Sequence, residues 1–370
     1  MSNSSTPKME YTRLGNSGLK ISKVIYGTMS IGSPDWQEWV IDEAAALPLL
    51  KVCNPTLSPN LFTDFEQNQH AYDVGLNTWD TADTYSNGLS EEIIGKALKK
   101  YNIPRNKVVL LSKCYFGVAD DGSQPPIPAV STNDGDMVNR VGLSRKHILD
   151  AVDRSIERLG THIDVLQIHR LDRDTPREEI MRALNDVVES GKVSYLGASS
   201  MAAWEFQTLQ NIAEKHGWHK FISMQNYYNL LYREEEREMI PYCRDTGVGL
   251  IPWSPIARGA LARPFNDRST TREKSDKMLT MLIRSKESEI DKRVIGRVEE
   301  IAKKRGVSMT TIATAWCLSK DKVNPIIGLS SKERIDQAVE SVHFAKSGKL
   351  TKEDIEYLEE GYAPKERQGY

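Results

Sequence analysis

Short apolar runs alternate with longer segments of helical pattern along most of the 370-residue chain. Eight of these runs have the length and the β-branched or apolar composition of strands. They are Val24–Tyr26, Leu76–Trp79, Val108–Ser112, Val165–Ile168, Val193–Leu196, Phe221–Met224, Val248–Ile251 and Pro325–Ile327. The alternation predicts an α/β fold, specifically a (β/α)8 TIM barrel. An open, doubly wound parallel sheet is the alternative.

Turn and cap residues mark several element boundaries. The segment Tyr11–Lys23 has two glycines at its centre and predicts an N-terminal β-hairpin. A helix is predicted from Ser144 to Leu159, because Gly160 directly follows it. Another begins near Thr175, which we expect to be its N-cap.

Two long loops, Tyr115–Gly142 and Pro255–Glu289, follow predicted strands on the side where such folds build their sites. We expect them to shape entry to a site, and mobile surface is the alternative. The sequence predicts a flexible N-terminal tail over 1–10, one barrel domain over 11–345 and a helical or flexible C-terminal tail over 346–370.

One stretch within the barrel domain, Val52–Gln69, interrupts the helical pattern that leads through Leu47 and Leu50. Joining Lys51 directly to His70 restores apolar positions at helical spacing. Our hypothesis is that this anomalous insertion is a retained intron translated in frame. The alternative is a genuine surface insertion, and sequencing the spliced transcript distinguishes the two.

The bulk composition restricts the possible partners. A net charge of −2 with interspersed acidic and basic residues provides no basic surface for nucleic acid. No signal peptide and no membrane-spanning segment is predicted, so we expect a cytoplasmic protein without membrane contact. The cysteines are scattered and suggest neither a disulfide framework nor a metal site; they are Cys53, Cys114, Cys243 and Cys317.

Four polar residues at or just beyond the ends of predicted strands are the candidate reacting groups: Asp80, Tyr85, Lys113 and His169. A parallel barrel would bring them to the same end. An ammonium beside a phenol stabilises the phenolate, so we expect Lys113 to lower the pKa of Tyr85. We expect Asp80 to hold the lysine charged and a neutral His169 to orient a substrate oxygen.

These motifs, from about Tyr11 to about Ser341, resemble the catalytic tetrad of the aldo-keto reductase superfamily. The resemblance is greatest to fungal members of the aryl-alcohol dehydrogenase and versiconal or norsolorinic acid reductase types. It implies an NADPH-dependent reductase of aromatic or polyketide-like aldehydes or ketones, in which Tyr85 supplies the proton and hydride leaves the A face of the nicotinamide. It also implies alternatives, a regulatory subunit similar to potassium-channel β subunits or an inactive product of intron retention.

The first strand-to-helix turn has no Gly-x-Gly-x-x-Gly fingerprint, so a dinucleotide would bind across the barrel loops, as in the resembled family. The helix start near Lys332 and Arg334 favours a phosphate and therefore NADP(H) over NAD(H). The resemblance implies these cofactor contacts: Gly27, Thr28, Met29, Asp80, Ser199, Ser200, Gln225, Trp253, Ser254, Ile256, Arg258, Gly328, Ser330, Lys332, Arg334 and Gln337. Ser200, Gly328 and Ala338 depart from residues that many members carry there.

The expected substrate is a small carbonyl compound or alcohol. Candidate pocket walls are Met29, Trp36, Tyr115 and Phe116, which favour an apolar or aromatic carbonyl over a strongly anionic one. We expect no metal, and the sequence leaves both a monomer and a homo-oligomer open.

Overall fold

The computed structural model describes residues 9–51, 74–120 and 135–369. Its main sheet has eight parallel strands, which confirms the predicted barrel strands to within a few residues. They are β3 (Ile25–Gly27), β4 (Thr78–Asp80), β5 (Val109–Cys114), β6 (Ile163–Ile168), β7 (Val193–Ser199), β8 (Phe221–Gln225), β9 (Gly249–Leu250) and β10 (Ile326–Gly328). Their spatial order is β10, β3, β4, β5, β6, β7, β8, β9.

The sheet closes on itself between its two outer strands. Parallel bridges join Leu250 to Val323 and Trp253 to Ile326. The Ile326 N–H donates to the Pro252 carbonyl at 2.9 Å. Closure of this kind removes the free sheet edges, so the barrel is the correct fold and the doubly wound alternative is wrong.

The predicted hairpin is present and covers the amino-terminal end of the barrel. Its strands are β1 (Tyr11–Arg13) and β2 (Lys20–Ser22), paired antiparallel. Leu14 and Ile21 from the hairpin are fully buried in an apolar cluster with inward residues of the barrel strands. Gly15 has a φ of +57°, and a Cβ there would lie 2.4 Å from the Gly247 carbonyl oxygen. Only glycine therefore fits this turn against the barrel.

Helices surround the barrel. They are α1 (Glu43–Leu50), α2 (Leu89–Lys100), α3 (Arg145–Leu159), α4 (Arg177–Glu189), α5 (Ala203–His216), α6 (Met239–Thr246), α7 (Thr271–Ser275), α8 (Lys277–Leu282), α9 (Glu289–Arg305), α10 (Met309–Leu318), α11 (Lys332–Lys346) and α12 (Lys352–Glu360). Two of them, α7 and α8, lie within the long loop predicted at 255–289, so part of that loop is helical.

The two capping predictions have different outcomes. Gly160 ends α3 in the left-handed conformation, as predicted. Ser144, predicted as the first residue of this helix, instead precedes it and caps it by accepting a backbone N–H from its first turn. α4 has no side-chain cap, so the predicted N-cap at Thr175 is wrong. The Thr175 hydroxyl instead donates to Asp172 Oδ2 at 2.7 Å, within a turn that precedes the helix.

Residues near both ends of the described chain contact the barrel domain. The Met9 N–H donates to the Val74 carbonyl at 2.8 Å, and the Gln368 N–H donates to Tyr232 Oη at 2.9 Å. The predicted division into tails and barrel stays a prediction. Val52–Gln69 and residues 121–134 of the first long loop lie outside the described residues, so the intron hypothesis also stays a prediction.

Candidate active site

The four candidate reacting residues lie at one end of the barrel. Asp80 ends β4, Lys113 is the next-to-last residue of β5, and His169 directly follows β6. Tyr85 begins a short 3₁₀ turn after β4, in which the next residue, Ser86, has a φ of +49°. All four side chains are buried. Parallel strands and one tight turn thus bring together residues that are up to 89 positions apart in the sequence.

Lys113 is the centre of this group. Its Nζ lies 2.6 Å from Asp80 Oδ1, 2.8 Å from the Thr81 carbonyl oxygen and 3.1 Å from Tyr85 Oη. The ammonium has three N–H donors, so these three acceptors use all of them. The phenol oxygen is therefore held at a fixed place beside a positive charge.

Two glutamines fix the other oxygen of Asp80. Gln167 Nε2 donates to Asp80 Oδ2 at 2.8 Å, and Gln225 Nε2 donates to the same oxygen at 3.0 Å. Gln225 Nε2 also donates to Gln167 Oε1 at 2.8 Å. Gln225, expected as a cofactor contact, thus also supports the ion pair, and a fully partnered buried network of this kind is rigid.

Gln167 is a site residue that was not predicted. The signal was present, because side chains alternate along a strand and Val165 and Gln167 therefore share a face of β6. Val165 belongs to the apolar cluster inside the barrel. A polar residue on that inward face requires a polar partner inside the barrel.

His169 is held in the neutral form. Burial first, and then the charges of Lys113 and Arg170, lower the pKa of His169 well below its ordinary value. Its ring meets those of Tyr85 and Phe116 edge-on, with centroids 5.8 Å and 5.0 Å apart. Nδ1 has no hydrogen-bond partner among the described residues. The geometry suits an imidazole that hydrogen-bonds a neutral oxygen.

The prediction that Lys113 lowers the pKa of Tyr85 below its ordinary value is wrong for the protein without bound ligand. Burial raises the pKa of Tyr85 more than Lys113 lowers it, so the net shift is upward. Burial lowers the pKa of Lys113, but Asp80 and then Tyr85 raise it by more. The net shift is upward, so the ammonium stays charged. The phenol is thus protonated at neutral pH, and the lysine limits the rise in its pKa.

A cavity of about 770 Å³ opens above these residues. Most of the residues predicted to bind cofactor or substrate line it. They are Gly27, Met29, Trp36, Asp80, Tyr85, Phe116, His169, Ser199, Gln225, Trp253, Ser254, Ile256, Arg258, Gly328, Ser330, Arg334 and Gln337. The volume is within the range of ligand cavities.

Two predicted cofactor residues lie behind the cavity wall. The Thr28 hydroxyl donates to the Asp80 carbonyl oxygen at 3.0 Å and supports the end of β4. Ser200 Oγ accepts a hydrogen bond from Trp253 Nε1 at 3.2 Å. The Trp253 ring also stacks on Tyr227, with centroids 4.5 Å apart and 23° between the planes. These contacts fix the orientation of the indole at the cavity.

Two other predicted site residues also lie away from the lining. Tyr115 is half-buried and packs edge-on against Phe116, with ring centroids 5.1 Å apart, so it supports the wall from outside. Lys332 is exposed at the start of α11. Arg334, one half-turn further on, does line the cavity, and its Nη1 donates to Ser330 Oγ at 2.6 Å.

A second charged group also borders the cavity; the sequence predicted Arg258 in it but not Arg272 or Asp276. Arg258 Nε and Arg272 Nε each donate to Asp276 Oδ2 at 2.9 Å. The Arg272 guanidinium also lies 4.1 Å from the centroid of the Trp39 ring. Burial, followed by the charge of Arg258, lowers the pKa of Arg272 to about 10.

This second group contains more positive than negative charge. Arg258, Arg272 and Arg334 line the cavity, and Asp276 is the carboxylate that two of them share. Arg258 Nη2 is buried and lies 2.8 Å from Asp276 Oδ2 in the ion pair, without a well-aligned hydrogen bond within the described residues. An excess of guanidinium groups over carboxylates at a cavity fits phosphate oxygens.

Over residues 9–51, 74–120 and 135–369, no helix is long and apolar enough to span a membrane. Nor does that part of the chain contain a cluster of three His, Cys, Asp or Glu residues placed to hold a metal ion.

Comparison with known proteins gives a consistent result. The model of the Aldo/keto reductase family matches residues 23–363. The chain is 64% identical to versiconal hemiacetal acetate reductase of Aspergillus parasiticus, over 96% of this chain and 98% of that protein. It is 52% identical to a Schizosaccharomyces pombe protein provisionally named an aryl-alcohol dehydrogenase, over 97% of each chain. It is also 48% identical to the aldo-keto reductase AFTS1 of Alternaria alternata, over 97% of this chain and 93% of that protein.

Proposed function

The chain belongs to the aldo/keto reductase family and is an oxidoreductase, and we propose that it reduces aromatic aldehydes or ketones with NADPH. One observation carries this proposal. The Tyr85 phenol, held by the Lys113 ammonium behind it, and a neutral His169 meet at a cavity that arginines also line. A proton donor and a dinucleotide site would then share one cavity.

The residues that line the cavity fit a nicotinamide dinucleotide. Reduced nicotinamide, when bound, supplies the hydride for carbonyl reduction. Trp253 would hold the nicotinamide end, since one indole face rests on Tyr227 and the ring lines the cavity. Ser199 and Gln225 would bind its amide. Arg258, Arg272 and Arg334 would bind phosphate oxygens, and their excess charge favours the more anionic NADPH over NADH.

The chain's own residues would polarise and protonate the substrate. His169 would donate a hydrogen bond to the carbonyl oxygen and orient it. Tyr85 would donate its proton to the same oxygen as negative charge develops there. Lys113 would stabilise the resulting phenolate at 3.1 Å, while Asp80 keeps the lysine charged and in place. We also expect hydride transfer from the A face of the nicotinamide.

The aromatic walls support an apolar or aromatic substrate. Trp36 and Phe116 line the cavity near Tyr85, and the Trp36 and Tyr85 ring centroids are 6.2 Å apart. We further propose that the protein acts in the cytoplasm, since Cys114, Cys243 and Cys317 are free thiols.

A cofactor-oxidation screen tests the proposal. Purified protein is assayed with NADPH or NADH against aromatic aldehydes, quinones and ketones. We expect turnover with aromatic carbonyls and a higher kcat/KM for NADPH. We assign Arg334 to the 2′-phosphate, which NADH lacks. Arg334→Ala should therefore raise the KM for NADPH by about tenfold or more and leave that for NADH nearly unchanged. Absence of turnover with every carbonyl would contradict the proposal.

A further inference from the structure

Arg170 directly follows His169 and lines the same cavity. Its side chain is part-buried, and Arg170 Nη1 donates to the His169 carbonyl oxygen at 2.6 Å. Burial lowers the pKa of Arg170, and the nearby Tyr85 and Tyr115 oppose that shift. A permanently charged guanidinium therefore lies beside the groups that would bind the reacting carbonyl.

Arg170 differs from the other enclosed arginines in having no carboxylate partner. Arg105 pairs with Asp164 at 2.7 Å, and Arg258 pairs with Asp276 at 2.8 Å. Over residues 9–51, 74–120 and 135–369, no carboxylate forms an ion pair with Arg170. An enclosed cation without a counter-ion is costly, and an arginine in this state favours an anion.

The other charges of the cavity leave this preference in place. Asp80 is tied to Lys113 by the 2.6 Å ion pair. Glu38 also lines the cavity, but it is exposed and forms no ion pair with Arg170. Neither carboxylate therefore neutralises the Arg170 guanidinium.

We propose that Arg170 is a specificity-determining residue that binds an anionic oxygen carried by the carbonyl substrate. This inference rests on the proposed reductase function and narrows its substrate class. The aromatic walls by themselves favour an uncharged ring, and Arg170 adds a preference for a ring that bears a carboxylate or an ionised phenol. The planar fork of the guanidinium suits two-point binding of such an oxyanion.

Matched substrates test the inference. The ortho, meta and para isomers of formylbenzoate are compared with their methyl esters, and hydroxybenzaldehydes with methoxybenzaldehydes at a pH that ionises the phenol. We expect at least one charged isomer to have the higher kcat/KM than its uncharged counterpart. The first pair reports on carboxylates and the second on phenolates. The ratio of each pair is the readout, so a general loss of activity cancels.

Arg170→Gln should lower the favoured ratio by about 10- to 100-fold, the range expected for one charge-assisted hydrogen-bond pair. Arg170→Lys should retain part of it, since it keeps the charge and loses the fork. Arg173→Gln is the matched control. Arg173 lies in the same loop but outside the cavity, where its Nε donates to Glu205 Oε1 at 2.8 Å. Its substitution removes the same charge and should leave the kcat/KM ratio unchanged.

Binding provides a measurement independent of turnover. By calorimetry, benzoate should bind the wild-type protein more tightly than benzamide, and Arg170→Gln should weaken benzoate binding alone. Equal ratios for wild type and Arg170→Gln would overturn the inference, provided that uncharged aldehydes are reduced. Failure to reduce any aldehyde would instead overturn the proposed function, while the benzoate measurement still decides whether Arg170 binds an oxyanion.

Discussion

The two ends of the barrel use the same strands in opposite ways. Along β5 the inward positions are Val109, Leu111 and then Lys113, and along β6 they are Val165 and then Gln167. The amino-terminal positions pack in an apolar cluster under the hairpin. The carboxyl-terminal positions form the buried ion pair and its amide contacts.

This difference teaches how stability and chemistry are separated in one fold. Apolar burial at the hairpin end depends on area and shape, so a substitution there costs packing energy only. Polar burial at the cavity end depends on particular partners, so removing one partner leaves another group unsatisfied. Variants at the two ends should therefore have different combinations of effects on stability and on activity.

The largest effect on activity is expected at Tyr85. Tyr85→Phe removes the proton donor and little contact area, so kcat for carbonyl reduction should fall by about 10²- to 10⁴-fold. The NADPH dissociation constant, measured by tryptophan fluorescence, should change little. Near-normal turnover in this variant would contradict the role of Tyr85 as proton donor.

Lys113→Met should affect both properties. It leaves the Asp80 carboxylate buried without its cation, which should lower the free energy of unfolding by about 3–5 kcal/mol and also reduce turnover. Urea unfolding at neutral pH measures the loss. Combining the change with Asp80→Asn should recover part of the stability but none of the activity. A loss of less than about 1 kcal/mol in the single variant would contradict the ion-pair account.

Leu14→Ala tests the opposite end. Leu14 is fully buried under the barrel, so its truncation should lower the free energy of unfolding by about 2–5 kcal/mol. The kcat of the folded fraction should stay within about twofold of wild type, since no cavity contact is removed. A large loss of kcat at full folding would show that the two ends are coupled.

The smallest effect concerns Asp83, a buried carboxyl close to Tyr85 in sequence. Burial first, and then Glu91, raise the pKa of Asp83 well above its ordinary value, and neither of its oxygens has a hydrogen-bond partner among the described residues. The unfolded chain thus loses this proton at a lower pH than the folded protein, so stability falls as pH rises above about 4.

Asp83→Asn removes this titration. The variant should therefore gain about 1 kcal/mol or more in free energy of unfolding at neutral pH, and the gain should shrink towards zero near pH 4. Urea titrations at the two pH values measure the difference. An identical gain at both would show that the proton of Asp83 is not involved.

Much of the fold and part of the site could be predicted from local patterns. The strands were found because each apolar run is flanked by turn or helix signals, and Lys113 and His169 were placed because they end such runs. The tight turn at Gly15 was likewise visible in the hairpin sequence.

The missed features depend on contacts between distant residues. The inward position of Gln167 is visible in the alternation along β6, but its partner Asp80 is 87 positions away and no local signal pairs the two. Arg272 lies in a polar segment and acquires its place only when it meets Asp276 and Trp39. The upward pKa shift of Tyr85 results from burial opposing the charge of Lys113, a balance that only the folded arrangement sets.

Isotope transfer tests the central claim, that the cavity end of the barrel reduces a carbonyl, most directly. The protein is incubated with an aromatic aldehyde and NADPH deuterated at either of the two faces of the nicotinamide, and the alcohol is examined by mass spectrometry and NMR. The account predicts one deuterium on the carbinol carbon from the A-face label and none from the B-face label. An alcohol without deuterium from either cofactor, or no alcohol at all, would contradict it.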